Sequence, residues 1–179
     1  MALILLRHTT PRVSPGTCYG QTDLDVAETF EREAEAAVAA LPRIDKIISS
    51  PLIRCHKLAQ FVSDQVGLPV AIEPQLQEMD FGTWEGIPWS VIKRSEIDDW
   101  ANDFLHARPH GGETVSELRT RARLALEAHY DPDASTLFVT HAGVVRALLS
   151  TGDAAANFNT QIDFGGFLTM SDPQGVNDE

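Results

Sequence analysis

The sequence predicts an α/β fold: a three-layer α/β/α sandwich with a mostly parallel central sheet. Three features carry that expectation. Short, unbroken apolar runs bounded by turn residues recur along the chain, as strands buried on both faces require. Amphipathic stretches at helical spacing alternate with them, which is the pattern of βα units. The chain has 179 residues, 43% hydrophobic and 22% charged, and shows no composition break or long linker. That fits one domain with a sizeable core.

The elements follow in order. ALILL (2–6) is a buried strand, and the Pro-, Gly- and Thr-rich stretch 9–25 is a loop. Residues 26–42 read as a helix with Phe30, Ala34, Ala37, Val38 and Leu41 on one face and Pro42 as its stop. IDKIISS (44–50) is a second strand; a helix follows at once, with Ser50 as N-cap, Pro51 in the first turn and Gly67 at its end. PVAIEP (69–74) is a short third strand, and 76–89 is an irregular loop. Residues 90–104 are helical and acidic, and another helix starts near Thr114. STLFVTH (135–141) is a fourth buried strand running directly into a helix at Ala142. Two short strands, 161–164 and 167–170, close the fold. The expected organisation is one domain over 1–172, with a variable lid region at 87–112 and a polar tail at 173–179.

A net charge of −12 argues against nucleic acid or an anionic membrane surface as partner. No apolar stretch approaches the roughly 20 residues of a membrane span, and no basic leader precedes the first strand. Two cysteines in different segments form neither a metal-type pair nor a disulfide framework. A reducing, cytoplasmic protein is expected. The sequence leaves pairing into a homodimer open.

An acidic protein can still hold a small anion where a few cations converge. In open α/β sheets ligands bind beyond the carboxyl ends of the strands. The first strand ends in Arg7 and His8. The second ends in Ser49-Ser50-Pro51 with Arg54 one turn on, and the fourth ends in Thr140-His141. If these strands are neighbours, two arginines and two histidines meet beside two helix N-termini, which describes a phosphate site. Glu78 follows the third strand; beside a bound phosphate it favours the protonated form and can donate a proton. Glu85 is its rival but is better read as ordering its own loop. Trp84, Trp89 and Trp100 read first as packing residues, and Cys18 and Cys55 as structural thiols. None of the histidines shows HExxH or paired-ligand spacing, so no metal is expected.

Five motifs in order, LLRHTTP, SSPLIRCHKLA, LQEMDFGTWEG, GGETVSELRTRA and FVTHAGVVRAL, resemble the histidine phosphatase superfamily. The resemblance implies a phosphoglycerate-mutase-like fold and phosphomonoester chemistry with no cofactor and no metal. It gives His8 the role of the nucleophile that becomes a phosphohistidine. Arg7, Arg54 and His141 become the phosphate-binding group and Glu78 the proton donor; spreading the charge of a dianionic ester calls for a protonated His141. Thr9 stands where most members have glycine, and the family's loop asparagine has no clear counterpart near Ser14 and Pro15. RHTTP followed by CYGQTDL is similar to the α-ribazole phosphatase subgroup, which implies α-ribazole 5′-phosphate as substrate. A mutase, a broad-specificity phosphatase and a non-catalytic phospholigand-binding protein are the alternatives. Thr9, Gln21, Thr22 and Ala142 are the further candidate substrate contacts. The partner implied throughout is a small anionic phosphoester.

Overall fold

The computed structural model describes residues 2–170; the tail expected at 173–179 lies outside them. Five strands form one sheet, ordered β3-β2-β4-β1-β5. They are β1 (Leu3–Arg7), β2 (Lys46–Ser49), β3 (Val70–Ile72), β4 (Thr136–Thr140) and β5 (Phe167–Met170). The first four are parallel, and β5 runs antiparallel beside β1.

The interior strand β1 is apolar from Leu3 to Leu6 because both of its faces are covered. Leu3 and Leu5 join Phe138 in a core with α4 (Val115–His129) and α5 (Ala142–Leu149). Ile4 and Leu6 point the other way, as the strand's period of two requires. They join Leu137 and Val139 in a second core with α1 (Phe30–Ala40) and α2 (Ile53–Val66). Each such side chain contributes roughly 1.5–3 kcal/mol on burial. The expected three layers are therefore present. Strand register decides where function falls: Arg7 lies opposite Thr140, and Ser49 opposite Val139. A one-residue slip would part Arg7 from Thr140 and move the His8 amide off the Thr140 carbonyl.

Element boundaries depart from expectation in four places. Helix α1 begins at Phe30 rather than 26, because Val26 bridges Pro11 and the Ala27 amide donates to the Thr10 carbonyl at 2.9 Å. Helix α2 begins at Ile53 with Leu52 as its extended N-cap; Ser50 does not cap it. Residues 161–164 form no strand, and the Ile162 carbonyl accepts from Arg7 Nη1 at 2.7 Å instead. The helix in the acidic stretch is α3 (Arg94–Asn102), shorter than 90–104. Near it, Cys18, Trp84 and Ile92 make a third, small core with Ile97 and Trp100 against it.

Helix α4 starts where the sequence places it, on a reciprocal capping box. Thr114 Oγ1 accepts from the Glu117 amide at 3.1 Å, and Glu117 Oε2 accepts from the Thr114 amide at 2.8 Å. We expect Thr114→Ala to remove about 1 kcal/mol of stability, read as a lower midpoint in urea unfolding with an unchanged slope. An unchanged midpoint would show that packing alone fixes the start of α4.

Candidate active site

The parallel ladder continues one residue past the strands. The His8 amide donates to the Thr140 carbonyl, and the Ser50 amide to that of Val139, each at 3.0 Å. His8, Ser50 and His141 are thereby set side by side, the two imidazoles 5.2 Å apart between centroids. All three are buried.

His8 Nδ1 lies 2.7 Å from the Thr9 carbonyl. A carbonyl can only accept, so Nδ1 carries the hydrogen and Nε2 keeps its lone pair. Tyr19 and Phe164 flank the ring. Burial is the main force on its titration, and the Arg54 and Arg7 charges add to it; the Thr9 bond opposes them. Together they push the His8 pKa down to about 3, so the ring is neutral across the physiological range.

Arg54 is fully buried. Its terminal nitrogens donate to the Gly20 and Thr22 carbonyls at 2.6 and 2.9 Å. Among the described residues no carboxylate lies within ion-pair distance of it, and its Nε has no partner. Arg7 stacks on Phe164, 3.8 Å from the ring centre, and its buried Nε is likewise unpartnered. Two buried donors of this kind are what an anion would satisfy.

His141 Nε2 lies 2.9 Å from Ser50 Oγ and 3.4 Å from Cys55 Sγ. Burial, then the charges around it beginning with Arg54, lower its pKa well below the ordinary value. The expectation of a protonated His141 therefore does not hold for the protein alone. The helix N-termini differ from expectation too: Asp23 accepts the Ile53 amide of α2, and Glu78 the Gly143 amide of α5.

Glu78 is buried with both oxygens occupied. Oε1 accepts from the Met79 amide at 2.9 Å and Oε2 from the Gly143 amide at 3.1 Å. Glycine at 143 is what makes this possible, since a Cβ there would stand 2.1 Å from Glu78 Oε1. Arg121 holds the segment from behind, donating to the carbonyls of Gln75, Gln77 and Glu78 while pairing with both oxygens of Glu113. Glu85 orders its loop as the sequence reading had it. It accepts from the Gln21, Thr22 and Phe81 amides and from the Thr22 hydroxyl.

A cavity of about 610 Å³ opens over these groups. Arg7, His8, Glu78 and Ala142 line it, while Arg54 and His141 are fully buried and are not among the lining residues. Three of the candidate contacts lie elsewhere. Thr9 is fully buried, its carbonyl on His8. Gln21 borders a neighbouring groove and donates to the Glu78 carbonyl. Thr22 is exposed and binds Glu85 and Arg54. Phe81, Trp89, Trp100 and Phe104 form an aromatic wall; Trp84 is core, with its indole N–H on Glu96. Sequence reading overlooked Gly143, Tyr19, Phe164 and Arg121. Only Gly143 carried a signal there, as a glycine just inside a helix start.

Comparison with known proteins places this geometry in context. The sequence model of the histidine phosphatase superfamily (branch 1) matches residues 3–160. A glucosyl-3-phosphoglycerate phosphatase of Mycobacterium tuberculosis (strain ATCC 25618 / H37Rv) is 29% identical over 162 residues, covering 82% of this chain and 72% of its own. An adenosylcobalamin/alpha-ribazole phosphatase of Escherichia coli (strain K12) is 33% identical over 114 residues, covering 59% and 55%. The solved structure of a mycobacterial glucosyl-3-phosphoglycerate phosphatase with VO3 superposes with a TM-score of 0.82 at 26% identity, covering 94% of this chain and 91% of that one.

The buried neutral His8 has a consequence for stability. Its folded pKa lies below its unfolded one, near 6.5, so the unfolded chain binds the extra proton. Stability is then fully present above about pH 6.5 and is lost as pH falls toward about 3. His8→Asn keeps a donor for the Thr9 carbonyl and removes the titration. We expect denaturant unfolding of this variant between pH 6 and 4 to show a shallower pH dependence, by up to ~1.4 kcal/mol per unit. Identical slopes would mean that His8 is not the buried neutral group.

Proposed function

The chain belongs to the histidine phosphatase superfamily, and on that premise we propose that it is a phosphomonoesterase working through a phosphohistidine on His8. The observation that carries the proposal is the His8 ring itself. Its Nδ1 hydrogen is tied to the Thr9 carbonyl, its Nε2 has no hydrogen-bond partner among the described residues, and it lines a cavity with Arg7 and Glu78.

A phosphate monoester is a dianion near neutral pH. Arg7 and Arg54 supply two fixed positive charges whose unpartnered Nε–H groups can take phosphate oxygens. A dianion beside His141 offsets the neighbouring charges that disfavour its proton, so the ring becomes a third donor on binding. Nε2 of His8 then attacks phosphorus in line with the leaving oxygen. The P–O bond breaks as the N–P bond forms, and protonated Glu78 delivers its proton to the departing alkoxide. In the second half Glu78 takes a proton from water, whose oxygen displaces His8. The sum is phosphomonoester plus water giving alcohol and inorganic phosphate, with His8 and Glu78 restored.

The finer reading of the substrate is α-ribazole 5′-phosphate. It rests on the RHTTP and CYGQTDL resemblance and on an aromatic wall suited to a flat base. The same proposal places the enzyme in the cytoplasm, where Cys18 and Cys55, both buried free thiols, stay reduced. Burial raises both thiol pKa values, that of Cys18 to about 12, so neither is a ready nucleophile. A mutase would return an isomerised phosphoester instead of free phosphate, and product analysis separates the two.

Two variants test the chemistry. His8→Ala is expected to abolish phosphate release and the acid-labile phosphoenzyme trapped from labelled substrate; retained label would remove His8 as nucleophile. Glu78→Gln is expected to lower kcat by about 10²–10⁴ while changing the affinity for inorganic phosphate much less. The reverse pattern would make Glu78 a binding residue.

A further inference from the structure

Helix α5 does more than present His141 at its start. Ala142, Gly143 and Arg146 all line the cavity. Arg146 is four residues beyond Ala142 and three beyond Gly143, the spacings that share one helix face. Glu78 rests on that face at Gly143, so Arg146 lies one turn further along, away from the strand end that carries His141.

Its environment is specific. Arg146 Nε donates to the Thr160 carbonyl at 3.0 Å. Among the described residues neither terminal nitrogen has a hydrogen-bond partner, and no carboxylate is within ion-pair distance. The guanidinium is thus anchored at Nε, its terminal nitrogens are unengaged among the described residues, and the residue lines the cavity. Asn159 and Gln161 line the cavity beside that anchor. Glu78 is the one acid among the residues that line it, and its oxygens already accept amide hydrogens. Arg7 is close enough that the charge of Arg146 adds to burial in lowering the Arg7 pKa. The cavity therefore carries one cation at the phosphate end and a second beyond it.

We propose that Arg146 is a specificity-determining residue, taking a carboxylate on the leaving group of the phosphoester. The inference rests on the phosphomonoesterase reading and deepens it. A half-buried arginine with an unanswered charge, fixed at its Nε, is pre-organised for a planar two-oxygen partner. A neutral leaving group would sit against that charge without answering it. α-Ribazole 5′-phosphate offers ribose hydroxyls and no second anion, so the inference ranks acid-bearing phosphoesters above it.

The test uses matched pairs of esters that differ in a carboxylate: phosphoserine against phosphoethanolamine, and 3-phosphoglycerate against glycerol 3-phosphate, with α-ribazole 5′-phosphate and inorganic phosphate alongside. In wild type we expect the carboxylated member to be favoured by about ten-fold or more in kcat/KM. In Arg146→Gln the preference should collapse to within about two-fold, and Arg146→Lys should keep an intermediate value. Calorimetric titration of His8→Ala with the same pairs should reproduce the preference in Kd without turnover. No carboxylate preference in wild type overturns the proposal, as does a preference that survives Arg146→Gln. So does an Arg146→Gln that weakens inorganic phosphate as much as the carboxylated ester, since Arg146 would then be a phosphate ligand. Phosphate release without carboxylate preference removes the subsite and leaves the phosphatase. An Arg146-dependent binding preference without phosphate release from any ester does the opposite.

Discussion

Arg54 is buried completely, and among the described residues no carboxylate answers its charge. Burying a cation without a counter-ion costs several kcal/mol even after relaxation. The carbonyls of Gly20 and Thr22 satisfy its terminal nitrogens but supply only partial charge. Its field spreads into the neighbouring groups instead. It is the largest charge acting on both His8 and His141, and with burial it keeps both rings neutral. A neutral imidazole is the form that can attack phosphorus. The charge that makes the site costly to fold is therefore also what keeps both imidazoles in the form with a free lone pair.

Holding such a site together takes two polar hubs, and each secures one side of it. Glu85 gathers the backbone of Gln21, Thr22 and Phe81. This fixes the loop whose carbonyls bind Arg54. Arg121 gathers the carbonyls of Gln75, Gln77 and Glu78, with Glu113 balancing its charge. This fixes the segment that carries Glu78. Neither hub lines the cavity itself. Their work is to hold the groups that do, or that lie just beneath, at a geometry that loose loops would lose.

The meeting of Arg7, His8 and His141 was legible because strand ends are legible. Apolar runs located β1, β2 and β4; Arg7 and His8 follow the first, Ser50 the second and His141 the third. The register of a parallel sheet then does the rest. What could not be read are contacts set by close approach rather than by spacing. Nothing in SSPLIR says that Ser50 turns from α2 to meet His141. Nothing in HAGVV says that Gly143 is needed because a carboxylate from residue 78 lies against it. Thr9, Gln21 and Thr22 stood in the right loops, yet it is the Thr9 carbonyl that holds His8, and Gln21 and Thr22 are engaged with Glu85 and Arg54. A loop residue near a site is a neighbour by sequence, and only the chain's path decides which way it faces.

The two ends of the cavity obey different constraints. The end that carries Arg7 and His8 is tied to the sheet, where a change of register or of a buried charge disturbs the whole core. The other end is built from the aromatic wall of residues 81–104, from the 155–161 segment and from the exposed side of α5. Its residues come from loops, short turns and a helix whose inner face alone is fixed by packing. A fold can keep its reaction while this end varies. Arg146 bridges the two, since its backbone belongs to the helix that the core fixes and its guanidinium belongs to the variable end. A cation there keeps the positional precision of the packed helix while lining the part of the cavity that is built from loops.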